Sequence, residues 1–250
     1  MQAANLFFAG REKLVILDAD GTLIDAFHAI ALAFARQGMD LGDFRRFQKR
    51  RKIMKYLGGL REFPQNLRQQ FGKQSRKRLI QTLTEVYREE AHLYPGIADL
   101  LKTLMGAPGI RVGIVTRNVT LEPAETMRQL LRRYDIDLEQ LDFFRSIPLS
   151  EEKLNQFRSI RDLFSINPAL SYVCGDEYLD YAAAIGAGMN ALIASYGFED
   201  FTKLCADFGI PREVIVESPA DLVWRLRHTL DLDYPNCPQI LQNHPATKDG

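Results

Sequence analysis

The stretch Leu14-Val15-Ile16-Leu17-Asp18-Ala19-Asp20-Gly21-Thr22-Leu23 decides how the chain reads. Its apolar start predicts a buried strand, and the two carboxylates that follow lie two residues apart. Side chains at i and i+2 of an extended chain point the same way, so Asp18 and Asp20 face one space while Ala19 faces away. Two acids in one cleft divide chemical labour when their surroundings push their pKa values apart. One attacks or binds a metal and the other exchanges a proton. Gly21 permits a sharp exit of the chain, and Thr22 adds a hydroxyl there. Asp-Gly after an apolar run is also an ordinary turn signal, so the pair alone does not establish a site.

Further strands end in polar groups in the same way. Arg111-Val112-Gly113-Ile114-Val115, preceded by Pro108-Gly109, runs into Thr116-Arg117-Asn118. Tyr172-Val173-Cys174 runs into Gly175-Asp176-Glu177-Tyr178-Leu179-Asp180 and then into an alanine-rich helical segment. Four-residue spacing predicts that Asp176 and Asp180 share one side of that helix's opening turn, although Asp176 could equally be a helix cap. Lys153, after the strand-like segment 143–147, is the only lysine between Lys102 and Lys203. Strands alternating with helices predict an α/β fold, a Rossmann-like parallel sheet with helices on both faces. Ligands of such sheets sit outside the carboxyl ends of the strands, where all these polar groups fall.

In this order the four segments resemble the haloacid dehalogenase superfamily, and in particular its phosphoglycolate-phosphatase-like members with a helical cap. Asp18-Ala19-Asp20-Gly21-Thr22 is similar to the first motif, Thr116 to the second, Lys153 to the third, and Gly175-Asp176 through Asp180 to the acidic fourth. The resemblance covers most of residues 12–230. It implies a Mg²⁺-dependent phosphatase acting on a phosphate monoester of a small anionic metabolite through an aspartyl-phosphate. Asp18 would be the nucleophile and Asp20 the general acid and base. Thr116 and Lys153 would hold phosphoryl oxygens, with Gly21, Thr22, Arg117 and Asn118 lining the same phosphate site. The metal would take Asp18, the Asp20 carbonyl, Asp176 and Asp180, the last through water or as a partner of Lys153.

Charge supports the need for a cation. Carboxylate attack on a phosphate dianion brings like charges together, each pair costing about 4 kcal/mol at 4 Å with an effective dielectric near 20. Mg²⁺ suits such a site because it takes a few carboxylates plus substrate phosphate and water. Asp20 points to an oxygen leaving group, since halide departure needs no proton. A phosphomutase of the same fold would use the same acid, and a binding or scaffold protein is a further alternative.

Residues 25–92 show helical patterns at 26–37, 44–57 and 79–92, and are expected to form a small helical cap inserted into a core made of residues 1–24 and 93–230. From residue 36 to 78 there are 14 lysines and arginines against 3 acids, a net of +11, which leaves −11 on the remainder of a chain with 32 of each sign. Such a lid steers anionic substrates. It is also open to a polyanion or nucleic acid, whose binding would weaken steeply with salt, or to solvent alone.

At 250 residues and 46% apolar content the chain can bury a sizeable core. Cys174, Cys205 and Cys237 have no metal-ligand spacing. His28, His92, His228 and His244 form no helical ligand pair, and His28 and His92 fall near the cap's hinges, which are expected at residues 23–26 and 93–95. One cysteine would be left over from any disulfide, which fits a reducing, cytoplasmic setting; no secretory signal is evident and no run approaches membrane-spanning length. Three prolines in residues 231–250 disfavour regular structure in that tail.

Overall fold

The computed structural model describes residues 12–39, 76–148 and 150–232. The helical pattern at 44–57, most of the basic stretch and the tail from residue 233 lie outside them.

Strand β1 (Lys13–Leu17) is buried along nearly its whole length because it has a parallel neighbour on each side, β2 (Ile110–Thr116) and β4 (Ser171–Gly175). β3 (Phe143–Ser146), β5 (Asn190–Ala194) and the short β6 (Ile215–Val216) complete a six-stranded sheet, all parallel, in the order β3-β2-β1-β4-β5-β6. Parallel sheets are covered on both faces, which explains the continuous apolar runs. Val15, Leu17, Val112 and Ile114 enter one core cluster, whereas Leu14, Ile16 and Val173 enter another on the opposite face. The strand alternation therefore sets which core each residue joins.

Seven α-helices occupy the described residues. They are α1 (Ala26–Arg36), α2 (Arg76–Glu89), α3 (Ile97–Gly106), α4 (Pro123–Arg132), α5 (Lys153–Phe164), α6 (Tyr178–Gly186) and α7 (Pro219–Thr229). Helices α3, α4 and α7 contribute Leu100, Leu130 and Leu222 to the first cluster, while α5 and α6 contribute Phe157, Ile160 and Ala184 to the second. Helices α1 and α2 lie between β1 and β2 in sequence and pack on each other. Two backbone hydrogen bonds join the strands entering and leaving this pair: Asp25 N–H to the His92 carbonyl at 3.0 Å, and Tyr94 N–H to the Leu23 carbonyl at 2.8 Å. Leu93 bridges antiparallel to Ile24, so α2 stops at Glu89 rather than reaching residue 92.

The fourth acidic segment departs from its expected geometry. Helix α6 begins at Tyr178 with Glu177 as its N-cap, so Asp176 lies ahead of the helix and not on its opening turn. Asp180, at the third helical position, completes a capping box with Glu177. Cys174 is buried in β4 and unbonded, its thiol pushed up to about 12 by burial, as befits a packing residue.

Candidate active site

The chain proceeds outward from β1 to β2 and β3 on one side, then returns to place β4 on the other side of β1. The crevice at this reversal, beyond the carboxyl ends of β1 and β4, is where a doubly wound sheet presents ligands. Asp18 follows β1 and Asp176 follows β4 directly. The Asp18 N–H extends the ladder by donating to the Cys174 carbonyl at 2.8 Å, so the sheet itself fixes where this side chain starts.

Asp18 is 9% exposed. Its Oδ1 accepts the Ala19 N–H at 2.9 Å, and its Oδ2 meets Lys153 Nζ at 2.9 Å. Lys153 is the first residue of α5, where Glu152 serves as N-cap, and it also donates to Asp180 Oδ1 at 2.6 Å. The other Asp180 oxygen accepts the Glu177 N–H at 3.1 Å and the Asp176 N–H at 3.3 Å. Ligand oxygens of Asp18, Asp176 and Asp180 fall within 4.8 Å of one another.

Asp176 is fully buried. Its Oδ2 accepts the Phe198 N–H at 2.5 Å, whereas its Oδ1 meets no hydrogen-bond partner. An unpaired carboxylate oxygen inside a protein is costly unless something else is to bind it. The backbone comes up to this carboxylate at two glycines. A Cβ on Gly21 would sit 2.2 Å from Asp176 Oδ2, and one on Gly197 would sit 2.3 Å from it. Gly21 also has a φ of +83°, which a side chain would strain. The orphaned oxygen, the crowding of three acids and the side-chain-free walls fit a divalent cation held by Asp18, Asp176 and Asp180. Asp20 is outside this group: its side chain turns elsewhere.

Asp20 Oδ1 accepts the Tyr87 hydroxyl at 2.8 Å, and Asn118 Nδ2 reaches Oδ2 at 3.0 Å and Oδ1 at 3.3 Å. The two acids of the opening stretch thus differ in their partners. Burial raises Asp18 to about 6 against the pull of Lys153, and raises Asp20 to about 7 against the Tyr87 and Asn118 hydrogen bonds. Asp20 is the one that more readily holds a proton near neutrality. Burial alone would lower the Lys153 ammonium, but Asp18 and Asp180 outweigh it and keep it charged. Burial and the neighbouring acids hold Asp176 well above the ordinary range.

The remaining candidates fall around this centre unevenly. Thr116 is the last residue of β2 and is buried there. Arg117 turns its guanidinium to the Glu151 carbonyl at 2.9 Å. Asn118 is committed to Asp20 through Nδ2, and its Oδ1 accepts the Thr120 N–H at 2.8 Å. Thr22 is wholly enclosed, and its carbonyl accepts the Tyr196 hydroxyl at 3.0 Å. Two residues of the site are not visible as such in the sequence. Tyr87 belongs to the apolar face of α2, and nothing local says that its hydroxyl meets an acid 67 residues earlier. Glu199, 1% exposed, accepts the Tyr178 N–H at 2.6 Å and so braces the start of α6.

This geometry coincides with the region matched by a family model. Residues 12–188 match the model of the haloacid dehalogenase-like hydrolases. The chain belongs to this family. A phosphoglycolate phosphatase from Aliivibrio fischeri (strain ATCC 700601 / ES114) is 26% identical over 200 residues, covering 74% of this chain and 85% of the relative. Among solved structures, a hydrolase from Pseudomonas syringae matches with a TM-score of 0.59 and 20% identity, covering 87% of this chain and 99% of that one. CbbY from Rhodobacter sphaeroides, solved in complex with phosphate, gives a TM-score of 0.57 and 19% identity over 84% of this chain and 96% of that one. At these identities the structural likenesses establish the hydrolase's fold, and its chemistry rests on the site.

Proposed function

We propose that this hydrolase is a Mg²⁺-dependent phosphatase that cleaves the phosphate monoester of a small anionic metabolite through an aspartyl-phosphate. One observation carries the reading: Asp18 is held by the Ala19 N–H and Lys153 beside Asp176 and Asp180, while Asp20, two residues on, is held apart by different donors. The relative from Aliivibrio fischeri, a phosphoglycolate phosphatase, supports a phosphorylated acid as substrate.

In this reading Asp18 Oδ attacks phosphorus as the bond to the leaving oxygen breaks, and Asp20 gives that oxygen its proton. Asp20, now a carboxylate, takes a proton from the water that opens the aspartyl-phosphate, returning Asp18 and releasing phosphate. Lys153 orients Asp18 and offers its remaining proton to a phosphoryl oxygen, and Thr116 adds a hydroxyl at the end of β2. Mg²⁺ on Asp18, Asp176, Asp180 and the Asp20 carbonyl would neutralise charge on the transferring group. Burial of all four carboxylates strengthens each electrostatic contact by excluding water.

We further read residues 25–92 as a cap on a core of residues 1–24 and 93–230, with 231–250 as a tail. The paired crossings at Asp25–His92 and Leu23–Tyr94 support hinges there. The test is turnover of phosphorylated acids, sugars and nucleotides with Mg²⁺ and with EDTA. Asp18→Asn is expected to lose turnover below detection. Undiminished hydrolysis by that variant removes Asp18 as nucleophile, and folded protein that cleaves none of these esters with Mg²⁺ favours a scaffold.

A further inference from the structure

Helix α2 touches the core at three points on one side. Thr84 Oγ1 accepts the Leu121 N–H at 2.9 Å, Tyr87 donates to Asp20 Oδ1 at 2.8 Å, and Arg88 pairs with Glu122 at 3.0 Å. Residues three and four apart share a helix face, so the contacts at Thr84 and Arg88 fix the rotation of α2 and with it the direction of Tyr87. Tyr87 is 2% exposed, and a buried tyrosine hydroxyl needs a partner. The partner it takes is not a backbone carbonyl, but the carboxyl of the second acid of the site. Asn118 reaches both oxygens of that carboxyl from the opposite segment, after β2, and is itself pinned by Thr120.

We propose that Tyr87 is a positioning residue for Asp20. Its hydroxyl, delivered by α2, holds Oδ1, while Asn118 Nδ2 reaches Oδ2 at 3.0 Å and Oδ1 at 3.3 Å and steadies the plane of the carboxyl, and the proton is exchanged at the remaining lone pair of Oδ2. The inference rests on the phosphatase reading, in which Asp20 is the acid and base. As the bond between phosphorus and the leaving oxygen breaks, the proton on Asp20 Oδ2 passes to that oxygen. Tyr87 keeps its own proton throughout, and only the charge of its acceptor changes as Asp20 gives up and regains a proton. A helix outside the sheet thereby completes the proton donor, so protonation of the leaving group depends on α2 being seated.

Such a role has a signature that packing does not. An ester whose leaving group is a poor one needs the proton, and one with a good leaving group needs it little. The test is kcat/KM of the full chain with Mg²⁺ for phenyl phosphate and 4-nitrophenyl phosphate, in the wild type, Tyr87→Phe, Asp20→Asn and the double variant. Tyr87→Phe is expected to lower kcat/KM about tenfold to a hundredfold for phenyl phosphate but less than about threefold for the nitrophenyl ester. On the Asp20→Asn background it is expected to cost nothing further. Asn118→Ala, which perturbs the same carboxyl without touching α2, should show the same split if Tyr87→Phe is too unstable to assay. An equal loss on both esters, or a full further loss in the double variant, reduces Tyr87 to a packing residue and overturns the proposal. If the wild type hydrolyses neither ester, the phosphatase reading fails and this inference with it.

Discussion

Replacing Lys153 by Met tests whether one buried cation holds the acidic centre together. The ammonium sits 2.9 Å from Asp18 and 2.6 Å from Asp180 and is 3% exposed. With an effective dielectric near 20, each contact amounts to about 6 kcal/mol of Coulomb attraction. That gross figure overstates the loss, because the variant also escapes the desolvation of an ammonium and the acids left behind can take up protons. Breaking a buried pair by removing one partner typically costs about 3–5 kcal/mol. For a chain of this size that is a fall in Tm of about 6–20 °C for the metal-free protein at pH 8.

The pH dependence gives the sharper check. Asp18 titrates at about 6 in the folded protein against an ordinary 3.8, so the folded state binds the proton more tightly, and this contribution to stability grows as pH falls from above 6 toward 3.8. Without Lys153, whose charge and hydrogen bond lower its pKa, Asp18 holds its proton at still higher pH. For each extra proton the variant carries relative to wild type, its deficit shrinks by about 1.4 kcal/mol per pH unit on acidification. Between pH 8 and pH 5.5 one extra proton recovers about 3 kcal/mol, most of the loss. Thermal unfolding in EDTA at these two pH values measures it. Equal Tm values for variant and wild type at pH 8, or a deficit that widens at pH 5.5, refute the reasoning.

Other expectations concern the metal and the substrate. Mg²⁺ binding is expected to weaken on acidification through pH 7 to 6, because Asp18 and its neighbours must shed protons to receive the ion; calorimetry in buffers of different ionisation enthalpy should register proton release, and none would contradict a carboxylate site. Gly197→Ala places a Cβ against Asp176 and is expected to weaken Mg²⁺ affinity at least about tenfold, with unchanged calorimetric affinity as the contrary result. Charge reversal at Arg50 and Arg51 is expected to raise KM most for the most anionic substrates, and equal kinetics across a substrate panel would leave the basic stretch as solvated surface.

Much of the site was legible because its residues stand at strand ends. A strand of apolar residues followed by acids can be recognised locally, but β1 ends at Leu17, so the two-residue period does not carry through Asp20, whose side chain turns to Tyr87 and Asn118. The same locality makes β5 (Asn190–Ala194) and the position of Lys153 readable. Helix boundaries were less so. The α6 start depends on Glu177 and Asp180 closing a capping box, so the four-residue spacing of Asp176 and Asp180 suggested a shared helical face that does not exist. Asn118, expected to line the phosphate site, also binds Asp20, a partner that depends on what the fold brings opposite it.

By itself, then, the sequence determined the parallel α/β plan and the strand that carries the acids, because those follow from periods of two and three to four residues along one chain segment. Only the tertiary structure decided that Asp18, Asp176 and Asp180 bring carboxylate oxygens within 4.8 Å of one another, that Asp176 keeps one oxygen unpaired, and that Tyr87 reaches Asp20. Those contacts join segments 67 residues and more apart, and their energy depends on distance and burial, quantities that no local pattern encodes.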